Sequence, residues 1–153
     1  MQFLSESRSQ TITLGKTLAR FLKKGDIICL NGDLGSGKTT FTKGLAAGLK
    51  INQQLVNSPT FVLLNEYRGK LPLYHFDLYR IDEPSELLVI GYEEFLYGQG
   101  VSVVEWASKL GKLTPKDYLD VKFAHKKESK RLIKFLAHGK RAKEIVQQLE
   151  SKA

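Results

Sequence analysis

The amino-acid sequence predicts a three-layer α/β fold around a mixed parallel and antiparallel central sheet, ending in a C-terminal β-hairpin and helix. Three observations carry that expectation. An apolar strand at residues 26–30 runs into a Gly-rich turn and then into a helix at 38–49, the strand–loop–helix order of a parallel sheet. Two further strands, at 61–67 and 71–77, are separated only by Arg68-Gly69-Lys70, a hairpin spacing that makes part of the sheet antiparallel. Strands alternate with helices around the Gly-rich turn and hairpins follow it, as in a sheet with helices on its faces.

Taken in order, residues 1–5 predict a short edge strand. Apolar side chains at Ile12, Leu14, Leu18, Ala19, Phe21 and Leu22 give residues 11–23 the pattern of an amphipathic helix, ended by Gly25. Asp26-Ile27-Ile28-Cys29-Leu30 reads as a buried strand. Residues 85–97 predict a helix interrupted at Gly91, and 100–105 a β-branched strand. Tyr118–His125 and residues 130–137 form a second hairpin around 126–129, and 140–151 a polar helix.

At 153 residues and 17.3 kDa the chain is expected to form one domain spanning residues 1–153, enough to bury a core. Hydrophobic residues at 42% and charged residues at 26% argue against disorder and collagen-like repeats. The single cysteine, Cys29, excludes a disulfide framework and a Cys-rich zinc site. His75, His125 and His138 show no metal-ligand spacing and read as structural. No apolar run approaches the roughly 18 residues of a membrane span, and residues 1–9 lack a signal-peptide core, so a cytoplasmic location without membrane contact is expected.

Charge is unevenly placed. Lys and Arg number 24 against 16 Asp and Glu, a net charge of +8 with a pI near 9.5. Residues 1–108 hold 11 basic and 11 acidic side chains, whereas 109–153 hold 13 basic and 5 acidic. The whole excess therefore lies in the last 45 residues, led by Lys126, Lys127, Lys130, Arg131 and Lys134. It reads either as a solvated surface or as a face for an anionic partner, polyphosphate or RNA.

Gly32-Asp33-Leu34-Gly35-Ser36-Gly37-Lys38-Thr39 fits the phosphate-binding P-loop pattern G-x-x-x-x-G-K-[ST]. Its glycines let backbone N–H groups approach phosphate oxygens, and the following helix points its positive end at the same anion. Lys38 reaches the β- and γ-phosphates, the Thr39 hydroxyl is a Mg²⁺ ligand, and Thr40 adds a phosphate contact. Two acids compete to complete the metal site. Glu105 ends the apolar strand Val101-Ser102-Val103-Val104 and is the primary candidate for Mg²⁺ or for positioning water. Asp77 ends Leu73-Tyr74-His75-Phe76 and is the second. Thr60, in Ser58-Pro59-Thr60-Phe61, lies where a loop sensing the γ-phosphate or Mg²⁺ would follow the P-loop helix. Trp106, next to Glu105, either packs in the core or covers the nucleotide.

Together GDLGSGKTTF at 32–41, SPTF at 58–61, YHFDLYR at 74–80 and VVEW at 103–106 resemble the bacterial TsaE (YjeE) family, small ATPases of tRNA threonylcarbamoyladenosine biosynthesis. The resemblance covers most of residues 11–107, and beyond them Lys130-Arg131-Leu132. It implies a P-loop NTPase fold that binds ATP and Mg²⁺ and acts with the TsaB and TsaD proteins, which place a threonylcarbamoyl group on the adenosine beside the tRNA anticodon. It implies nucleotide contacts from Gly35, Ser36, Gly37, Lys38, Thr39 and Thr40, Mg²⁺ held by Thr39 and Glu105, and hydrolysis involving Lys38, Thr60, Asp77 and Glu105. It places Trp106 near the nucleotide and suggests further contacts at Ser7, Ser108 and Arg131.

Two other functions fit a lone P-loop. A small metabolite or nucleoside kinase would need an Arg-rich lid, but the six arginines, at 8, 20, 68, 80, 131 and 141, form no such run. A GTP-operated switch would need an Asn/Thr-Lys-x-Asp motif, which the chain lacks, so ATP is favoured. No arginine finger stands out, so turnover is expected to be slow alone and stimulated by partners or tRNA.

Overall fold

A computed structural model describes residues 1–59 and 61–152. Seven strands form one sheet: β1 (Gln2–Ser5), β2 (Ile27–Asn31), β3 (Leu64–Tyr67), β4 (Leu73–Asp77), β5 (Val101–Glu105), β6 (Tyr118–His125) and β7 (Arg131–His138). The helices are α1 (Arg8–Ala19), α2 (Lys38–Gly48), α3 (Glu86–Val89), α4 (Tyr92–Leu96) and α5 (Lys140–Glu150). Across the sheet the order is β1-β7-β6-β2-β5-β4-β3. β2 pairs in parallel with β5 and β6, and β4 with β5; the β1–β7, β6–β7 and β3–β4 pairs are antiparallel. The expected mixed sheet, with both hairpins, is therefore present.

Alternation along the strands divides the core between two faces. Ile28 and Leu30 of β2, Val101 and Val103 of β5 and Ile133 and Phe135 of β7 pack with Leu14, Leu18, Phe41, Leu45 and Ile145 of α1, α2 and α5. Ile27, Cys29, Phe76 and Val104 face the other way, onto Leu87, Tyr92, Leu96 and Leu110 from α3, α4 and the 3-10 segment Ala107–Leu113. α1 and α2 approach so closely that a Cβ on Gly44 would be driven into the Ile12 carbonyl and one on Gly15 into that of Phe41. α5 is fastened to the far end of the sheet by Asp117, whose carboxylate accepts from Arg141 N and Ala142 N, and by Arg141, which donates to both oxygens of Asp26. No helix among the described residues is long and apolar enough to cross a membrane.

Several element boundaries differ from the sequence expectation, most by one or two residues and the largest at α1 and β3. α1 begins at Arg8 rather than residue 11, because the Ser7 hydroxyl accepts from Gln10 N while Gln10 Oε1 accepts from Glu6 N, and it stops at Ala19 rather than 23. The interruption expected at Gly91 within 85–97 is present: Gly91 takes a left-handed φ of 66° and divides the segment into the short helices α3 and α4. β3 starts at Leu64 rather than residue 61, after Leu63 turns the chain with φ 68° and leaves Phe61 and Val62 exposed.

Candidate active site

β2, β5 and β4 run parallel, so their carboxyl ends, Asn31, Glu105 and Asp77, lie along one edge of the sheet. The loop leaving β2 is held tight against the neighbouring hairpin. A Cβ on Gly32 would come within 2.8 Å of the Phe123 carbonyl oxygen and 2.7 Å of Ser36 Oγ. Ser36 N closes the turn onto Asp33 O at 3.1 Å. Gly37, with φ 111°, is the left-handed N-cap of α2 and supplies no side-chain cap, so the amino end of the helix opens into a cavity of about 290 Å³.

Lys38 folds back over this loop. Its Nζ donates to Gly32 O at 2.5 Å and Asp33 O at 2.8 Å and lies 4.6 Å from the centre of the Trp106 ring. Burial pushes its pKa below the ordinary lysine value, against the opposing pull of Glu105, Asp77 and Asp33. Trp106 reaches that position because its backbone turns left-handed, φ 57°, immediately after β5, and its ring packs 5.1 Å from Tyr79. Trp106 packs against the core on the α3–α4 face of the sheet and also forms part of the cavity wall.

The two candidate acids meet. Asp77 and Glu105 are register partners on β4 and β5, and each residue is only 2% exposed. Thr39 Oγ1 donates to Glu105 Oε1 at 2.9 Å. Ser58 Oγ donates to Asp77 Oδ2 and lies 3.3 Å from Glu105 Oε2, while Asp77 Oδ1 accepts from Tyr79 N at 3.0 Å. His75, fully buried, sets Nε2 3.6 Å from Glu105 Oε2. Thr60 lies outside the described residues. Sequence reasoning misses Ser58 and His75 as site residues. Ser58 opens a motif in which the threonine is the more obvious candidate, and His75 sits within an apolar strand.

The other expected residues separate into four groups. Gly35, Gly37, Thr40 and Arg131 line the cavity with Lys38, Thr39, Asp77, Glu105 and Trp106. Arg131 reaches it because β7 begins at the edge where β2 ends; its Cδ would be 2.9 Å from a Cβ on Gly37. Its Nη1 donates to Ser129 O, but its buried Nε has no hydrogen-bond partner among the described residues. Ser36 is buried beneath the loop, 3.5 Å from Lys38 Nζ. Ser108 lines an adjacent cavity of about 420 Å³ with Asn31, Trp106, Asp120 and Lys122, and its N–H donates to Asn31 Oδ1. Ser7 lines neither cavity, and its hydroxyl caps α1.

An anion fits this cavity: it would meet the amino end of α2, the Lys38 ammonium and the orphaned N–H of Arg131. Mg²⁺ fits beside it, because the hydroxyl of Thr39 and the carboxylates of Glu105 and Asp77 are hard oxygen donors. Among the described residues no group of three or more His, Cys, Asp or Glu could hold a metal alone, so the ion would complete its shell with phosphate and water oxygens.

A strand, a Gly-rich loop with its lysine folded over it and a helix opening onto an anion cavity define the class: a P-loop nucleotide-binding protein. The model of the family described as "Threonylcarbamoyl adenosine biosynthesis protein TsaE" matches residues 5–133, and the chain belongs to the TsaE family. It is 45% identical over 141 residues to the tRNA threonylcarbamoyladenosine biosynthesis protein TsaE of Bacillus subtilis, covering 92% of this chain and 87% of that one. The Treponema pallidum protein of the same description is 42% identical over 115 residues, covering 75% and 84%. The crystal structure of Bacillus subtilis YdiB superposes with a TM-score of 0.83 at 36% identity, over 99% of this chain and 94% of that one. The family resemblance and the α/β P-loop fold read from the sequence are borne out, and the kinase alternative is not favoured.

Proposed function

We propose that the chain is a Mg²⁺-dependent ATPase that serves formation of the threonylcarbamoyl group on the adenosine beside the tRNA anticodon, acting with the TsaB and TsaD proteins. The observation that carries the ATPase reading is the Thr39–Glu105 hydrogen bond, which joins the loop's hydroxyl to a buried strand-end carboxylate at the mouth of the P-loop. Mg²⁺ would neutralise charge on the β- and γ-phosphate oxygens and orient them for in-line attack. The chain's own groups supply the rest. Backbone N–H groups at 35–40 and the Lys38 ammonium hold the phosphates, and Arg131 approaches from β7. Thr39 and Glu105 fix the metal side of the site. Asp77, with an oxygen held by Tyr79 N, orients the attacking water. Trp106 and Tyr79 wall the cavity and limit bulk water around the phosphates.

The test is an ATPase assay on the chain alone and with TsaB and TsaD, followed by scoring of modified tRNA. Slow turnover alone, rising with the partners and accompanied by modification, is the expected result. Unchanged turnover, with phosphate transferred instead to a small molecule, would establish the kinase reading.

The basic segment supports a second interaction, with tRNA phosphates. Arg131 turns into the nucleotide cavity, which leaves Lys126, Lys127, Lys130 and Lys134 as the outward members of the group; Lys130 pairs with Glu6 at 3.5 Å. Lys122, the cross-strand neighbour of Lys134, is exposed beside them. Neutralising Lys126, Lys127, Lys130 and Lys134 together is expected to weaken tRNA binding and flatten its salt dependence. In the limit the slope falls by about 0.7–0.9 for each tRNA phosphate that these lysines neutralise in the wild type. An unchanged salt slope would leave the segment as a solubility feature.

A further inference from the structure

We propose that His75 is a positioning residue that holds the Glu105 carboxylate in register with Thr39, an assignment that rests on the Mg²⁺·ATP reading above. Alternation on β4 and β5 places Leu73, His75 and Asp77, and Val101, Val103 and Glu105, on the sheet face that α2 covers. On that face the apolar residues sit at the strand starts and the polar ones at the carboxyl ends. His75 is the register partner of Val103, which makes Glu105 its diagonal neighbour, two residues further along β5.

The imidazole is fully buried, and neither ring nitrogen has a hydrogen-bond partner among the described residues. A side chain that only filled space here would better be apolar, because a buried polar group without a partner opposes folding. What the ring faces is a carboxylate: Nε2 lies 3.6 Å from Glu105 Oε2. That is longer than a hydrogen bond, as contacts at reactive sites often are before ligand arrives and tightens them. With the proton on Nε2, the ring donates to Oε2 and leaves Oε1 directed at Thr39 Oγ1, 2.9 Å away.

Among the described residues, the other donors to Glu105 are hydroxyls that can turn elsewhere. Ser58 Oγ also donates to Asp77, and Thr39 Oγ1 is the proposed metal ligand. A ring fixed inside the sheet cannot turn away in that manner. It thus supports the acid as outer partners support metal-site carboxylates, whose loss typically costs about 10–100-fold in metal affinity or activity.

The test compares three substitutions. His75→Phe keeps a buried ring and removes both nitrogens; His75→Gln returns an N–H near Nε2; His75→Asn is too short to reach Glu105. Three quantities are read: the melting temperature without nucleotide, ATP affinity with and without Mg²⁺ from the fluorescence of Trp106, the single tryptophan, and kcat. His75→Phe is expected to fold and to keep its Mg²⁺-free ATP affinity within about 2-fold. Both the Mg²⁺-dependent gain in affinity and kcat are expected to fall by about 10-fold or more. His75→Gln is expected to recover most of that loss and His75→Asn little of it. An undiminished Mg²⁺ gain in His75→Phe overturns the proposal, as does an equal loss of affinity with and without Mg²⁺ in all three variants. Should His75→Phe not fold, the Gln and Asn variants decide by the same criterion. A wild-type protein with no Mg²⁺-dependent gain would overturn the parent reading and this assignment with it. A normal wild-type gain that survives in His75→Phe would overturn this assignment alone.

Discussion

Glu105→Ala is expected to lower kcat for ATP hydrolysis by about 100-fold or more, the scale on which removing one preorganised electrostatic group slows a reaction. Glu105 is 2% exposed and engages Thr39, Ser58 and His75, so among the described residues no other side chain stands where its carboxylate does. Affinity for ATP without Mg²⁺ is expected to hold or rise, because a negative charge beside the phosphates is removed. The Mg²⁺-dependent part of the affinity is expected to disappear. Asp77→Asn supplies the contrast: the amide oxygen can still accept from Tyr79 N, while its NH2 takes the place of Oδ2 and donates to Ser58 Oγ instead of accepting from it. If Asp77 orients water, as proposed, kcat falls while Mg²⁺-dependent binding stays. Steady-state kinetics and nucleotide titrations with and without Mg²⁺ separate these outcomes. Wild-type turnover in Glu105→Ala would remove it from the hydrolysis machinery, and a loss of Mg²⁺ dependence in Asp77→Asn instead would exchange the two roles.

The division between what the sequence shows and what only the structure shows follows chain distance. The P-loop is legible because its strand, glycines, lysine and helix lie within residues 26–49 and their chemistry is local. Both acids are legible as strand ends, yet their relation is not. That Asp77 and Glu105 are register partners, and that Thr39 reaches Glu105, depends on pairing between strands about 28 residues apart in sequence. His75 is hidden for the same reason: inside Leu73-Tyr74-His75-Phe76 it looks like core until β5 brings a carboxylate beside it. The α1 cap is readable, since Ser7-x-x-Gln10 is a capping pattern, but the apolar spacing that starts at Ile12 draws the expected helix start toward residue 11. Arg131 has no local signature at all. It reaches the cavity because the β6–β7 hairpin returns the chain to the edge where β2 ends, and in the sequence only the family resemblance points to it.

Lys38→Met is expected to separate function from stability. The methionine keeps an unbranched apolar stem against Trp106 but supplies no charge to phosphate. Two charge-assisted hydrogen bonds to phosphate, at about 1.5–3 kcal/mol each, translate into an ATP affinity at least about 100-fold weaker. The folded protein without nucleotide is not expected to suffer equally. Burial lowers the pKa of Lys38 below its ordinary value, so the unfolded chain holds this proton more tightly than the folded one. The charge therefore opposes folding at neutral pH, and that opposition is relieved only as pH rises through the lowered pKa. Removing the charge removes the opposition, while the loss of the hydrogen bonds to Gly32 O and Asp33 O acts in the other direction. The net expectation is a melting temperature equal to or above that of the wild type in the absence of ATP, together with little or no stabilisation when ATP is added. Thermal unfolding with and without nucleotide measures both. A nucleotide-free protein that melts far below wild type would show that Lys38 chiefly braces the loop. An undiminished rise in melting temperature with ATP would show that the phosphates do not lie where the loop, the amino end of α2 and Arg131 converge.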